Sequence, residues 1–505
     1  MPNQRRAGVI LGYINIVVKN LVNLVYTPML LSFVGQADYG VYQSCNSFVF
    51  SLTLLSFGFL QAYVRFYTQK KVNGTEDDIR RLNGVYLVLY TAVSVAAFML
   101  GLVFAANADT IFSVGFTTEQ IATARIVIAI LAGSIAITIF NSVFDAFVLA
   151  HEQFRFQQTR QLATTLATPF IAYGLLCFGF GVVGVAVAQI AVSFALLVLN
   201  ASFCIGGLGM RFDVRRFDKT LFKSIAAFSA WIFANQVCDL VNQNVPNILL
   251  GALTSASVVA VFAVSVQIRS VFISLSTTIS NVFTPKINRI VADTDDNVAL
   301  TQLMTRAGRC QMILFCWVYG GFALLGEFFV EHWAGEDFSD VYWLVLVMTL
   351  PLAVSLTQNT GIEIQRAKNR HKTRSIAILI TAALNVVFTV IAAPHIGYWA
   401  PAIAYFIGEA LCKDVFMDWY YHKRIGLNMR YFWKRVLPVV GAALLVTAVC
   451  LIGKCFVPVV DWIGFFSWGM VYTTFFGVAI WFVVLIPQEK KSILSLIESI
   501  KKGGR

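Results

Sequence analysis

Residues 121–149 read IATARIVIAILAGSIAITIFNSVFDAFVL, and within these 29 residues only Arg125 and Asp145 are charged. A helix of about 20 apolar residues crosses the hydrocarbon core of a bilayer. A membrane-spanning strand needs only about ten residues, and its apolar and polar side chains alternate. This run is too long for a strand and does not alternate. It therefore predicts a membrane-spanning α-helix.

The rest of the chain has the same character. Of its 505 residues, 58% are hydrophobic and 13% charged, whereas a soluble domain has about 45–50% apolar and about 25% charged residues. This composition excludes a soluble enzyme, a disordered chain and a secreted disulfide scaffold. Apolar stretches bounded by charge clusters or Gly/Pro turns predict an all-α integral membrane protein with fourteen transmembrane helices. They are 9–34, 41–64, 84–107, 121–149, 162–179, 183–205, 225–250, 256–283, 310–330, 341–362, 376–394, 398–419, 437–457 and 463–486.

Lysine and arginine are distributed unevenly between the connections. The termini and every second connection hold 33 of the 38 Lys and Arg residues, and connections 35–40, 108–120, 251–257 and 331–340 hold none. The positive-inside rule then places both termini in the cytoplasm, in agreement with an even number of helices. This topology also accounts for the net charge of +12, so the charge does not point to nucleic acid as a partner.

A weak internal repeat divides the chain. A shift of 220 residues places Asn15, Lys19 and Asn23 of the first helix over Asn235, Asp239 and Gln243 of the seventh. We therefore predict two six-helix lobes, 1–210 and 211–430, related by a parallel repeat about the membrane normal. Residues 431–505 then contain helices 13 and 14 and a basic cytoplasmic tail.

The polar residues inside the spans are the candidate functional residues, because ionisable groups are costly within a bilayer. Asn15, Lys19 and Asn23 recur every four residues on one helix face, and Arg269 lies near the middle of the eighth span. The repeat gives the seventh helix an equivalent stripe, which favours a central transport pathway. A second interpretation is that Asp239 neutralises Lys19 or Arg269 in a buried pair that only locks helices together.

No enzymatic or metal-binding motif is found. The sequence lacks a Gly-x-Ser-x-Gly elbow, a phosphate-binding loop and a cluster of metal ligands, and no strand precedes the G-x-G-x-x-G match at 179–184. We therefore expect no catalytic residue, no metal site and no bound cofactor. Among the other charges, Lys413 is expected to pair with Glu409, and Asp145 is a candidate proton or cation site.

Three short motifs resemble one known family. They are GYINIVVKNLVNLVYTP at 12–28, GQADYGVY at 35–42, and LSFGF at 55–59, which leads to Arg65. They are similar to the polysaccharide flippases of bacterial O-antigen and capsule synthesis, in the multidrug/oligosaccharidyl-lipid/polysaccharide exporter superfamily. The resemblance implies a protein of the bacterial plasma (inner) membrane. It would move a lipid-linked oligosaccharide on undecaprenyl pyrophosphate to the outer leaflet by alternating access, for cell-surface polysaccharide biosynthesis.

The resemblance gives the polar residues candidate roles. A pyrophosphate needs fixed cations to cross hydrocarbon, and Lys19 and Arg269 offer one from each half, with Arg65 as a further cation on the cytoplasmic side. The amides suit sugar hydroxyls because each both donates and accepts hydrogen bonds. These candidate sugar contacts are Asn15, Asn23, Asn235 and Gln243. Asp239 and Asp145 are candidates for coupling to Na⁺ or H⁺. Expected partners are membrane lipids, a polysaccharide polymerase and glycosyltransferases.

Three other functions stay open. An ion-coupled multidrug exporter of the same superfamily would favour acids facing a cationic drug, whereas Lys and Arg inside these spans favour an anionic substrate. A flippase of the peptidoglycan precursor has the same charge requirement. A purely structural membrane scaffold would rarely need Lys19, Arg269 and Asp239 in mid-membrane.

Overall fold

All regular structure in the described residues is helical, which confirms the all-α prediction. A computed structural model describes residues 2–56, 58–214, 222–225, 229, 240, 244–368, 370, 372–487 and 489–490. The helices are α1 (Pro2–Phe50), α2 (Phe59–Asn73), α3 (Glu76–Ala106), α4 (Ala108–Ile111), α5 (Thr118–Ala150), α6 (Phe154–Cys177), α7 (Gly181–Ser202), α8 (Val245–Leu253), α9 (Ala256–Asp293), α10 (Asn297–Ala334), α11 (Asp340–Thr349), α12 (Leu352–Thr357), α13 (Asn359–Ala367), α14 (Lys372–Ile396), α15 (Trp399–Gly408), α16 (Phe416–Tyr420), α17 (Met429–Phe456) and α18 (Trp462–Ala479).

Shorter helical segments of other types extend or join these helices. Two are 3₁₀ segments, Ser51–Ser56 and Glu336–Phe338. Four are π-helical: Phe203–Gly207, Glu409–Val415, Tyr421–Ile425 and Ile480–Val484. Two of the π segments make residues 399–425 one helix of alternating α and π geometry.

Nine helices in the described part of the chain are long and apolar enough to cross a membrane. Several predicted spans are helical but divided. The predicted span 41–64 contains the 3₁₀ segment Ser51–Ser56, and 341–362 is divided among α11, α12 and α13. Pro351 explains the break between α11 and α12, since proline has no backbone N–H to donate and its ring clashes with the carbonyl four residues before it. The predicted span 225–250 lies mostly outside the described residues, and the number fourteen stays a prediction.

Helix α1 runs through the first predicted connection. Its only non-helical backbone is at Gly35, with φ at +76° and ψ at 172°. A positive φ is costly for residues with a Cβ, so glycine permits this break. The predicted connection 35–40 is therefore a kink at Gly35 followed by renewed helix.

The starts of two helices follow directly from the sequence. Thr75 and Asp78 form a capping box at the start of α3, and Thr117 and Gln120 form another at the start of α5. In each, the threonine side chain accepts from a backbone N–H of the first turn, and the partner side chain accepts from the threonine N–H. These local hydrogen bonds satisfy helix-end donors that would otherwise lack partners.

The chain divides into two compact units. The first comprises Met1–Ala263 and Val386–Pro401, and the second Val264–Asn385 and Ala402–Arg505. Helices α9 and α14 each contribute residues to both units. The predicted lobe boundary at 210/211 stays a prediction, because residues 215–221 and most of 226–243 lie outside the described ones.

Close helix contacts organise the first unit. A Cβ added at Gly101 on α3 would lie 2.3 Å from the Cβ of Ala132 on α5. Small residues allow membrane helices to approach in this way. At the other end of α3, Asn83 accepts from the Tyr63 hydroxyl at 2.6 Å and donates to the Arg211 carbonyl at 2.9 Å. These bonds hold the segment after α7 against α3.

The second unit has an apolar core between α10 and α17. Met304 and Phe432 are fully buried in it, and Gly308 makes room for the Phe432 ring. Beside this core, the buried Arg309 donates to both carboxylate oxygens of Glu489, at 2.8 and 2.9 Å. Arg309 also donates to the Val484 carbonyl at 2.8 Å. A single arginine thus ties α10 to the segment that follows α18.

Candidate functional site

Among the predicted substrate contacts that the structure describes, Arg269 is the most deeply buried. It lies on α9 with 6% of its surface exposed. Its guanidinium carbon is 4.2 Å from the centre of the Tyr405 ring on α15. Its Nε atom is buried and has no hydrogen-bond partner within the described structure. The structure therefore holds a cation at a fixed place with a donor still available.

An acidic segment continues from Tyr405 along the same helix. The Tyr405 hydroxyl interacts with Glu409, one helical turn further on. Glu409 is 1% exposed and pairs with Lys413 at 2.5 Å, which confirms the predicted local pair. Tyr405 therefore interacts electrostatically with both the cation of Arg269 and the carboxylate of Glu409.

Glu409 and Asp414 were not among the predicted site residues. Both lie in the π-helical segment Glu409–Val415, and Oε2 of Glu409 and Oδ1 of Asp414 are buried without hydrogen-bond partners in the part that is described. Segments of π-helix occur frequently at functional sites. Three acids inside one predicted span, 398–419, were the available signal, and the pairing of Glu409 with Lys413 obscured it.

The polar residues that the sequence places on one face of the first helix have different environments in the structure. Asn15 is buried and donates through Nδ2 to the Gln158 carbonyl at 2.9 Å and to Oε1 of Gln158 at 2.7 Å. Its amide therefore joins α1 to α6, while Oδ1 has no partner in the described residues. Asn23 is half-buried and has an interaction partner.

Lys19 has a different environment from Asn15. It is exposed on α1, and Val17 and Leu21, two positions to either side of it, are each 57% exposed. No acid among the described residues forms an ion pair with it. Arg65 is also exposed, on α2. Lys19 is thus available to a ligand within the described structure.

The predicted residues of the seventh helix cannot be placed in the same way. Asn235, Asp239 and Gln243 lie outside the described residues. Their predicted roles, and the alternative pairing of Asp239 with Lys19 or Arg269, stay predictions.

Asp145 lies in a buried polar network of the first unit. It pairs with Arg160 at 2.5 Å and accepts from the Asn200 amide at 2.9 Å. Asn200 also donates to Asn141 at 2.8 Å. The network joins α5, α6 and α7, and Asp145 already has a cation partner in it.

Two further basic residues, Arg125 and Lys454, form ion pairs. Arg125 pairs with the exposed Asp109, and Lys454 pairs with Glu327 at 3.6 Å. Within the described ranges, no group of three or more His, Cys, Asp or Glu side chains could hold a metal ion.

Solved structures share this fold. The lipid II flippase MurJ in an inward closed conformation matches 93% of this chain and 99% of its own, with a TM-score of 0.74 at 15% identity. An inward-facing multidrug resistance transporter of the MATE family matches 83% of this chain and 98% of its own, with a TM-score of 0.66 at 14% identity. At these identities the likeness is one of fold.

Sequence comparison gives the family. The profile of the family described as "Polysaccharide biosynthesis protein" matches residues 29–343. The uncharacterized membrane protein EpsK of Bacillus subtilis (strain 168) is 22% identical over 482 residues, which cover 94% of each chain. Together with the fold, these findings define a multi-pass membrane transporter of the multidrug/oligosaccharidyl-lipid/polysaccharide exporter superfamily. Within it, the chain belongs to the polysaccharide biosynthesis protein family, as the sequence motifs indicated.

Proposed function

We propose that this protein moves a polyprenyl-pyrophosphate-linked oligosaccharide from the cytoplasmic to the outer leaflet of a bacterial plasma membrane. The oligosaccharide would serve cell-surface polysaccharide synthesis, supplied by glycosyltransferases and consumed by a polymerase. Transport would proceed by alternating access, without chemical conversion of the substrate. Membership in the polysaccharide biosynthesis family supports the class of substrate.

The buried Arg269 is the observation that carries the proposal. A guanidinium is charged at every physiological pH and presents a planar fork of donors that matches phosphate oxygens. Stacking on Tyr405 orients that fork, and the unpartnered Nε leaves a donor for a ligand. A pyrophosphate supplies the acceptors that such a site lacks. Tyr405 also interacts electrostatically with the acidic Glu409.

Lys19 is the second proposed contact of the pyrophosphate. Its exposure and the absence of an ion pair within the described structure leave its ammonium available. Asn15, Asn23, Asn235 and Gln243 are the proposed contacts of the sugars. For Asn15 this contact would use Oδ1, because its amide nitrogen is bonded to Gln158. Arg65 would attract the anionic head group from the cytoplasm.

Coupling to an ion gradient would involve Na⁺ or H⁺ at Asp239. Asp145 is a second candidate, and its use would require the ion to compete with Arg160. Asp239 is therefore the better candidate of the two.

A flippase of the peptidoglycan precursor is the second candidate function. The observation that favours it is the fold likeness to the lipid II flippase MurJ over 93% of this chain. Competition between the two lipids for transport distinguishes the candidates. Faster transport of the peptidoglycan precursor than of other lipid-linked oligosaccharides would favour this alternative.

Reconstituted transport tests the proposal. Proteoliposomes would contain undecaprenyl pyrophosphate that carries a short labelled oligosaccharide, or the same oligosaccharide on undecaprenyl monophosphate. We expect the pyrophosphate form to change leaflet at least tenfold faster. Arg269→Gln should remove this preference, whereas the control Arg125→Gln, which changes an exposed arginine, should retain it. Equal transport of both lipids by the wild type would contradict the proposal.

A further inference from the structure

A second basic site lies in the second unit, apart from Lys19 and Arg269. It is a cavity of about 420 Å³. It lies between the end of α9, the start of α10, the residues that follow α13, and residues 423–426. A volume in the range of about 300–1,000 Å³ is typical of small-molecule sites. The polar residues that line it are Asp295, Asn297, Lys368, Arg370, Lys423 and Arg424.

The cavity has a strong positive charge. Four cations face it, and Asp295 is the one acid among the described residues of its lining. Asp295 pairs with Lys368 at 2.7 Å. Arg370, Lys423 and Arg424 are exposed, and in the described residues no acid pairs with them. Their charges are therefore available to a bound anion.

Lys368 is held in a fixed position at this cavity. Only 9% of its side chain is exposed, and its ammonium lies 2.7 Å from Asp295. It also donates to Oδ1 of Asn297 at 2.7 Å. An ammonium has three N–H donors. Two of them face these acceptors, which leaves the third for a ligand.

The backbone around the cavity is also fixed. Gly426 has φ at +86°, and an added Cβ would lie 2.5 Å from Nδ2 of Asn297. Glycine therefore permits the close approach of this turn to Asn297. On the other side, the buried Gln365 donates to the Arg370 carbonyl at 3.0 Å, and Arg370 donates through Nη1 to the Arg424 carbonyl at 2.5 Å. The cations are thus positioned before any ligand binds.

We propose that this cavity binds a phosphate-bearing anion. Lysine and arginine donors make strong, charge-assisted hydrogen bonds to phosphate oxygens. The positive-inside pattern predicts that all three connections around the cavity are cytoplasmic. Basic pockets on that side of membrane proteins bind the head groups of anionic lipids. The two sources of such a phosphate are an anionic phospholipid of the inner leaflet and a soluble phosphate of the cytoplasm.

Binding by a paired set of variants tests the site without measuring transport. Lys423→Gln with Arg424→Gln removes two exposed charges of the cavity. The matched control, Arg430→Gln with Lys434→Gln, removes two exposed charges near the start of α17 that do not line it. Equal melting temperatures of the ligand-free proteins would confirm that both variants fold.

Two measurements distinguish the sources of the phosphate. Native mass spectrometry of the detergent-solubilised protein compares phosphatidylglycerol with phosphatidylcholine. A thermal-shift titration with inorganic pyrophosphate in lipid-free detergent tests the soluble source. Each basic residue near a membrane surface strengthens the binding of anionic lipid, so we expect affinity to fall about tenfold or more in the cavity variant, which lacks two of them.

The outcomes separate clearly. Selective retention of phosphatidylglycerol that is lost in the cavity variant assigns the site to a lipid head group. A pyrophosphate-induced shift that is lost in the same variant assigns it to a soluble phosphate. Equal binding by the cavity and control variants, or no binding of either ligand by the wild type, would overturn the proposal. None of these results depends on the transported substrate.

Discussion

The guanidinium of Arg269 stacks on the ring of Tyr405, with 4.2 Å between the guanidinium carbon and the ring centre. A cation over an aromatic face is stabilised by roughly 0.5–2 kcal/mol, and more strongly where water is excluded. The contact orients a buried charge without neutralising it. This distinguishes Arg269 from Arg160 and Arg309, each of which has a carboxylate partner.

We expect the guanidinium of Arg269, and the orientation that Tyr405 gives it, to control the rate of transport. Arg269→Lys should retain part of the activity because the charge persists, while the bidentate contact to phosphate is lost. Tyr405→Phe should be close to wild type, and Tyr405→Leu should transport several-fold more slowly because the ring that orients Arg269 is gone. Reconstituted transport at matched protein level measures all three. Wild-type transport by Tyr405→Leu would show that the stacking has no role.

Substitutions of Lys19 distinguish a contact with the substrate from an ion pair that only holds two helices together. If Lys19 holds pyrophosphate, Lys19→Ala should be almost inactive but should express and insert normally. If it instead pairs with Asp239, Lys19→Ala should lower expression, and adding Asp239→Asn should restore both expression and transport. Measuring export and protein level for the single and double variants separates the two. Full transport by the double variant would remove Lys19 from the proposed site.

The Asp145–Arg160 pair should contribute mainly to stability. Removing one partner of a buried pair leaves the other charge uncompensated, at a cost of about 3–5 kcal/mol. We therefore expect Asp145→Asn to lower the melting temperature in detergent clearly more than Asp109→Asn, which breaks the exposed pair with Arg125. Transport by the folded Asp145→Asn protein should still respond to collapse of the ion gradient. Loss of that response would instead make Asp145 a coupling residue.

Glu489 should make stability depend on pH. Burial alone would raise the pKa of Glu489, but hydrogen bonds from Arg309 and the Ile486 N–H, with the nearby arginine charges, lower it below its ordinary value. Its stabilising effect is therefore fully present above the unfolded-state pKa of about 4.3. The effect is lost as the pH falls through the lower pKa of the folded protein.

Thermal unfolding in detergent between pH 3 and pH 7 measures this effect. Glu489→Gln should be less stable than the wild type at pH 7, and the difference should shrink toward pH 3. Asp293→Asn, in an exposed pair with Arg289, is the control and should change little. A stability difference for Glu489→Gln that is independent of pH would contradict the assignment.

The connection between α9 and α10 should face the cytoplasm, as the lysine and arginine distribution predicts. A single cysteine at position 293, in a protein with its native cysteines replaced, should resist a membrane-impermeant thiol reagent in intact cells. It should react after the membrane is opened. A cysteine at the nearby position 296 would be less suitable, because Asp296 caps α10 by accepting from the Val298 N–H. Rapid labelling in intact cells would reverse the orientation.

Some features of the protein could be predicted from sequence because their causes are local. Long apolar runs require helices in a bilayer, since backbone groups must be hydrogen-bonded within the segment. The capping boxes at Thr75 and Thr117 and the pair between Glu409 and Lys413 depend on residues three or four positions apart. At such spacing, helical geometry alone brings the side chains together. The family was also visible in short motifs of the first 65 residues.

The partners of the polar residues were decided only by the tertiary structure. Periodicity placed Asn15 and Lys19 on one face of α1, but it could not show that the amide of Asn15 is bonded to Gln158, 143 residues away. The sequence marked Arg269 as a charge near the middle of the membrane, and only the packing of α9 against α15 sets it over Tyr405. The same holds for the cavity around Lys368, which brings together three distant connections. Composition and spacing determine which segments enter the membrane, whereas long-range packing determines which side chains meet, because each contact depends on atoms that the local sequence does not contain.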